Sequence, residues 1–175
     1  MSHVCQILLV QADDVDDAFS LVESSLSENT YPLWSDWHNA TGSDSKDFAG
    51  RWSGVVFADE AKPDEKVATN HLCYTDDPAL AEKVISDWLE ARIQSISEYR
   101  AKMLDLTTAK YDPYTDSLNM PAYYAYKVAQ LMNDNWSPDS GVYDLTMGTA
   151  NLHDFIQRIK REPSKQFLIP VDFHY

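Results

Sequence analysis

Glycine is scarce in this 175-residue chain, with five in all, and so few leave little room for a Gly-rich loop that cradles phosphate. Cysteine is scarcer. Cys5 and Cys73 are the only two, too few for a disulfide framework and not spaced as a C-x-x-C pair. The patterns H-E-x-x-H and G-x-S-x-G are absent as well, which removes the signatures of helix-borne zinc sites and of nucleophile elbows. Apolar runs are short. The run from Ile7 to Val10 has no basic segment before it and is too brief for a signal peptide. Nothing approaches the roughly 20 apolar residues needed to span a bilayer. These absences predict a cytoplasmic protein without membrane attachment.

Positive charge is the next shortage. Fourteen Lys and Arg face twenty-eight Asp and Glu, for a net charge of −14. Such a field repels nucleic acid and anionic membrane, both of which reward clustered Lys and Arg. Arg158, Lys160 and Arg161 do cluster, but they read as the last turn of a helix, where cations suit the dipole. Direct nucleic-acid binding is therefore disfavoured, and a basic protein is the better partner. The acidity is uneven: residues 1–45 hold eight carboxylates and no Lys or Arg. Asp13, Asp14, Asp16, Asp17 and Glu23 are the candidate partner-binding residues, because a helix presenting them imitates a run of phosphates. The plainer reading of the same charge is solubility.

With 44% hydrophobic and 12% aromatic residues, the chain is apolar enough to fold, as one domain over residues 1–175. Val4 and Ile7 to Val10 predict a buried strand. Asp13 or Asp14 caps a helix with an apolar stripe at Val15, Phe19, Val22 and Leu26. Residues 29–50 have no clear period and read as a long loop. Strands are expected at Arg51 to Ala58 and Val67 to Thr75, joined by a charged turn. Asp76 or Asp77 then caps a long helix from Pro78 to about residue 106, with Leu80, Val84, Trp88, Ile93, Ile96, Tyr99 and Met103 apolar. Helices follow at Pro121 to Asn133 and over 150–161, the latter with Leu152, Phe155, Ile156 and Ile159 inward. The chain closes on a strand, Gln166 to His174, which Pro170 assigns to an edge or a distorted position. This order predicts an α+β fold, an antiparallel or mixed sheet with helices on one face. A ferredoxin-like core with a helical and loop insertion at about 107–149 fits best.

Chemistry-bearing residues fall into pairs spaced i, i+2: His3/Cys5, Asp36/His38, His71/Cys73 and Asp172/His174. On strands, such pairs share a face and can project jointly if the strands are neighbours. Imidazole with thiolate suits zinc, yet scattered His and Cys pair by accident, and no metal or other cofactor is assigned. In the terminal strand, Asp172 and His174 lie opposite the apolar face of Phe167, Ile169, Val171 and Phe173. They are either solvated, the default, or a histidine oriented by a carboxylate for acid–base work. Arg51 and Trp52, with Trp37 and His38 in the preceding loop, form the other candidate. An arginine beside indoles binds a phosphate or carboxylate while the rings hold a planar group. A tryptophan that anchors the loop, with Arg51 paired to a nearby acid, is the structural alternative.

Four short motifs carry a resemblance. Met1-Ser2-His3-Val4, Trp34-Ser35-Asp36-Trp37, Gly50-Arg51-Trp52-Ser53-Gly54 and Val171-Asp172-Phe173-His174-Tyr175 resemble uncharacterised phage-encoded proteins. Those begin M-S-H-F, carry D-W followed by G-G-R-W, and end V-D-C-H-I. Ala49 stands for the first glycine of that pattern and Phe173 for its cysteine, which weakens any thiol chemistry. The resemblance spans both ends and one loop, not the helical middle. It implies a phage or prophage origin rather than an activity, and it implies that His3, Arg51, Trp52, Asp172 and His174 converge.

Two functions follow as expectations. The first is a phage accessory module, acidic and inhibitory, that binds a basic, nucleic-acid-handling host or defence protein in the host cytoplasm. The second is a small hydrolase or nucleotide-binding protein. It would use His3, Asp172 and His174 for proton transfer, Arg51 for a phosphate, and Trp37 or Trp52 for stacking.

Overall fold

A computed structural model of the chain describes residues 3–27, 37–39, 48–58, 70–108, 120–133 and 137–174. The elements run β1 (His3–Gln11), α1 (Val15–Ser27), β2 (Trp37–Asn39), β3 (Leu72–Cys73), α2 (Pro78–Thr108), α3 (Met120–Met132), β4 (Val142–Asp144), α4 (His153–Arg161) and β5 (Gln166–His174). Together they make an α+β fold around one mixed sheet. The strand order is β2-β5-β1-β4, and the short β3 also pairs with β5. Only β4 runs parallel to its neighbour, β1; the other pairings are antiparallel. No helix among the described residues is long and apolar enough to cross a membrane.

Alternation along β1 and β5 sends apolar side chains to both faces of the sheet. Leu8, Val10, Ile169, Val171 and Phe173 pack under α1 with Phe19, Val22 and Leu26. Cys5, Ile7, Leu9 and Leu168 pack on the other side with Ala81 and Val84 of α2 and Phe155 of α4. Helices therefore cover both faces, not the one face expected. The reason is that β1 and β5 are apolar on both sides, and such strands need cover on both. With β4 parallel beside β1, the sheet also departs from ferredoxin-like pairing. The expected hairpin is missing too. Residues 50–52 form a 3-10 turn and 53–57 further turns, driven by Gly50 and Gly54, both at positive φ. Of the second expected strand, Leu72–Cys73 is seen, and residues 67–69 lie outside the described residues.

The helices are set by their caps. Asp14 Oδ1 accepts the Asp17 N–H at 2.9 Å, and Asp77 Oδ1 accepts the Leu80 N–H at 3.0 Å, each satisfying a donor the helix start leaves free. Along α2 the apolar stripe breaks once. Ile93 is exposed, and the neighbouring Arg92 is buried, donating to the carbonyls of Ala150 and Leu131. Between residues 107 and 149, α3 packs on α2 through the stacked rings of Tyr99 and Tyr124, whereas Val142–Asp144 is a strand of the sheet itself. The loop expected over 29–50 likewise contains β2.

Pro170 sits inside the sheet, not at its edge. It registers with Ile7, and Ile7 turns its N–H away from β5, to the Gly141 carbonyl at 2.8 Å. The pair is thus a non-hydrogen-bonded one, and the nitrogen of Pro170 faces the opposite side of β5. There it falls between β3, whose first residue pairs with Leu168, and β2, whose last residue pairs with Asp172. The missing donor lands in the gap between two short strands, which is why a proline is tolerated in a central strand.

Candidate functional site

The first residue of β1 lies directly across from the last residue of β5: His3 registers with His174 and Cys5 with Asp172. Cross-strand partners share a face, so these four side chains occupy one end of the sheet on the α2 side. The imidazole rings of His3 and His174 meet edge to face, with centroids 5.2 Å apart. Asp172 is wholly buried and His174 nearly so. The solvated default for this pair is overturned, because β5 is a central strand covered on both faces.

The buried carboxylate of Asp172 is the hub. Its Oδ1 lies 3.0 Å from His3 Nδ1. Its Oδ2 accepts the backbone N–H of Arg51 at 3.2 Å and stands 3.8 Å from Arg51 Nε. The backbone N–H of Asp172 donates to the Phe48 carbonyl at 2.8 Å. Segment 48–51 is thereby held to β5 by both the main chain and the side chain of one residue. Gly50, buried and at φ 56°, makes the turn that aims the Arg51 N–H inward. The two arms that Asp172 holds differ in exposure. The His3 side chain is 16% exposed and that of Arg51 57%, so the guanidinium reaches solvent from a buried anchor. Trp52 is half-buried against the α2-side core, and its indole N–H is buried without an acceptor among the described residues. The backbone of Trp37 registers with His174 and that of His38 with Phe173, which brings β2 alongside the cluster; the side chains of both lie outside the described residues, as do Trp34 and Asp36.

Cys5 sits behind the carboxylate. Burial first, and the charge of Asp172 second, push its thiol far above the ordinary range, so it stays protonated and is no nucleophile. The other His/Cys pair does not join the site. Cys73 packs in the α1-side core, and His71 sets its ring edge-on to Phe19 at 5.5 Å. Burial holds the His71 imidazole below its usual value despite Asp76. Among the described residues no three or more His, Cys, Asp or Glu side chains are grouped to hold a metal ion.

On the far side of the sheet, Asp13, Asp14, Asp16 and Asp17 are exposed at the start of α1 and Glu23 farther along it. They are not wholly unopposed, since Lys165, distant in sequence, pairs with Asp13 at 2.8 Å. Residues that sequence reasoning missed lie at the end of β4. Asp144 is fully buried and accepts two hydrogen bonds from Arg158 Nη2, at 2.8 and 2.7 Å. The available signal was Arg158 standing three residues after Phe155, on the buried face of α4. Comparisons with protein-family models, curated proteins and solved structures find no match to this chain.

Proposed function

We propose that the protein binds a small anionic molecule and transfers a proton on it, as a hydrolase or nucleotide-handling enzyme does. Arg51 anchors the anion and His3 is the acid–base group. One observation carries this reading: a single buried carboxylate, Asp172, holds both an imidazole and an arginine. A carboxylate that accepts the Nδ1–H of His3 selects the tautomer in which Nε2 is the basic nitrogen. Arg51, pinned at its backbone and free at its tip, suits bidentate capture of a phosphate or carboxylate. His174 closes the back of the imidazole through its edge contact.

The test is a panel of nucleotides, phosphate monoesters and carboxylates, read by thermal stabilisation, with Arg51→Ala and Asp172→Asn beside the parent. A binding member should raise the melting temperature of the parent. Arg51→Ala should lose that rise while leaving the unliganded temperature nearly unchanged, since the side chain is mostly exposed. In ¹⁵N spectra of the imidazoles, Asp172→Asn should shift His3 away from the Nδ1–H tautomer. No stabilisation by any member, together with a His3 tautomer indifferent to Asp172, would sink the proposal.

A second reading rests on the exposed carboxylates of α1. In it, that face binds a basic, nucleic-acid-handling host or defence protein, and the resemblance to phage-encoded proteins supports such a target. Pull-downs from bacterial lysate should then recover a basic protein that about 0.5 M salt releases and that charge reversal at Asp13, Asp16 and Asp17 abolishes. Recovery of nothing salt-labile counts against it.

A further inference from the structure

The groove between α2 and α4 is separate from the His3 cluster and has its own chemistry. It has a volume of about 370 Å³ and is lined by Ile85, Leu89, Phe155, Ile156 and Ile159, within the size range of small-ligand sites. Helical spacing places Ile156 inward, yet it is 47% exposed because it stands at the lip of this groove, with Phe155 taking the core position. Two charged residues mark the rim. Glu82, on α2, keeps its negative charge and accepts the Tyr74 hydroxyl at 2.7 Å. Lys160 has no acidic partner among the described residues, in a chain where acids outnumber bases two to one.

We infer that this groove binds a small amphipathic anion, a medium-chain aliphatic carboxylate, with its tail along Ile85, Leu89, Ile156 and Ile159 and its carboxylate on Lys160. Apolar walls without a cation would take an alcohol equally well; the ammonium of Lys160 on α4, unpaired among the described residues, selects the acid at that end of the groove, away from the Tyr74–Glu82 pair. The net charge of −14 does not prevent this, because at physiological ionic strength a charge is screened beyond about 8 Å. The local pairing decides.

Calorimetric titration of the full chain with decanoate, below its micelle concentration, tests the inference against decanol and decyltrimethylammonium. Decanoate should bind saturably with one site, and both other probes at least about tenfold more weakly, the worth of one charge-assisted hydrogen bond. Lys160→Glu and Ile156→Asp should each weaken decanoate by about tenfold or more while the far-ultraviolet spectrum and melting temperature stay near the parent's, both side chains being exposed. Lys102→Glu changes the net charge equally but lies on the distal half of α2, and it should leave the affinity unchanged. Absence of saturable decanoate binding overturns the site. Equal binding of decanol, or equal weakening by Lys102→Glu, overturns the role of Lys160.

Discussion

Asp144 shows what one buried carboxylate does to its surroundings. Burial raises its pKa from the ordinary carboxylate value, and the Arg158 guanidinium and the N–H groups of Met147 and Thr146 pull it part of the way back. The folded chain thus holds a proton on Asp144 at pH values where the unfolded chain has released it, and stability from this group falls as pH rises through that window. Arg158 limits the loss. Replacing it by Met strips the largest of the opposing influences and leaves a fully buried charge. Arg158→Met should therefore cost about 3–5 kcal/mol near neutral pH and clearly less near pH 5, where protonation of Asp144 relieves the charge. Urea unfolding at the two pH values measures this. An equal loss at both would assign the effect to the packing of the arginine stem instead. Arg158 also marks a limit of sequence reading, since a cation in a helix's last turn looks the same whether it faces solvent or a buried carboxylate on a neighbouring strand.

At the scale of elements, caps and stripes were legible and sidedness was not. Asp14 and Asp77 stand where the capping pattern puts them, and β5 has its expected bounds, because these features depend on neighbours in the chain. The strand expected at Arg51 to Ala58 became turns, since two positive-φ glycines outweigh the apolar content of that stretch. The polar cluster was half legible: i, i+2 spacing gave the pairs, but only the long-range register of β1 on β5 selects His3 with Asp172 and excludes His71 with Cys73. Gly141 is a long-range feature of the same kind. It leads into β4 at φ 71°, and a Cβ there would sit 2.8 Å from Trp88 Cε3 of α2. Its carbonyl also receives the Ile7 N–H, so it cannot move without disturbing the sheet. Gly141→Ala should destabilise by about 2–3 kcal/mol, combining left-handed backbone strain with the clash. Denaturant unfolding checks this, and a loss below about 0.5 kcal/mol would mean that Trp88 yields freely.

For the whole molecule, the excess of fourteen negative charges acts on every element at once. At about 10 mM salt the screening length is about 30 Å, so carboxylates on α1, α2 and the turns between them repel one another across the fold. Unfolding relieves that repulsion by spreading the charges. Pairs such as Lys83 with Asp87 and Lys165 with Asp13 oppose it, but exposed pairs contribute little and salt weakens them too. The Asp13 carboxyl is held below its usual pKa by Lys165, so its contribution is present above the unfolded value and fades as pH falls through the lowered folded one. Asp144 has the opposite sign, and the two partly offset each other on acidification. Net repulsion should dominate near neutral pH, so raising sodium chloride from about 10 to about 300 mM should raise the melting temperature by several degrees, a few degrees per kcal/mol for a chain of this length. Guanidinium chloride, itself a salt, should then report a higher apparent stability than urea. A melting temperature that falls with salt would reverse the balance, placing the attractive pairs above the repulsion of the acidic majority.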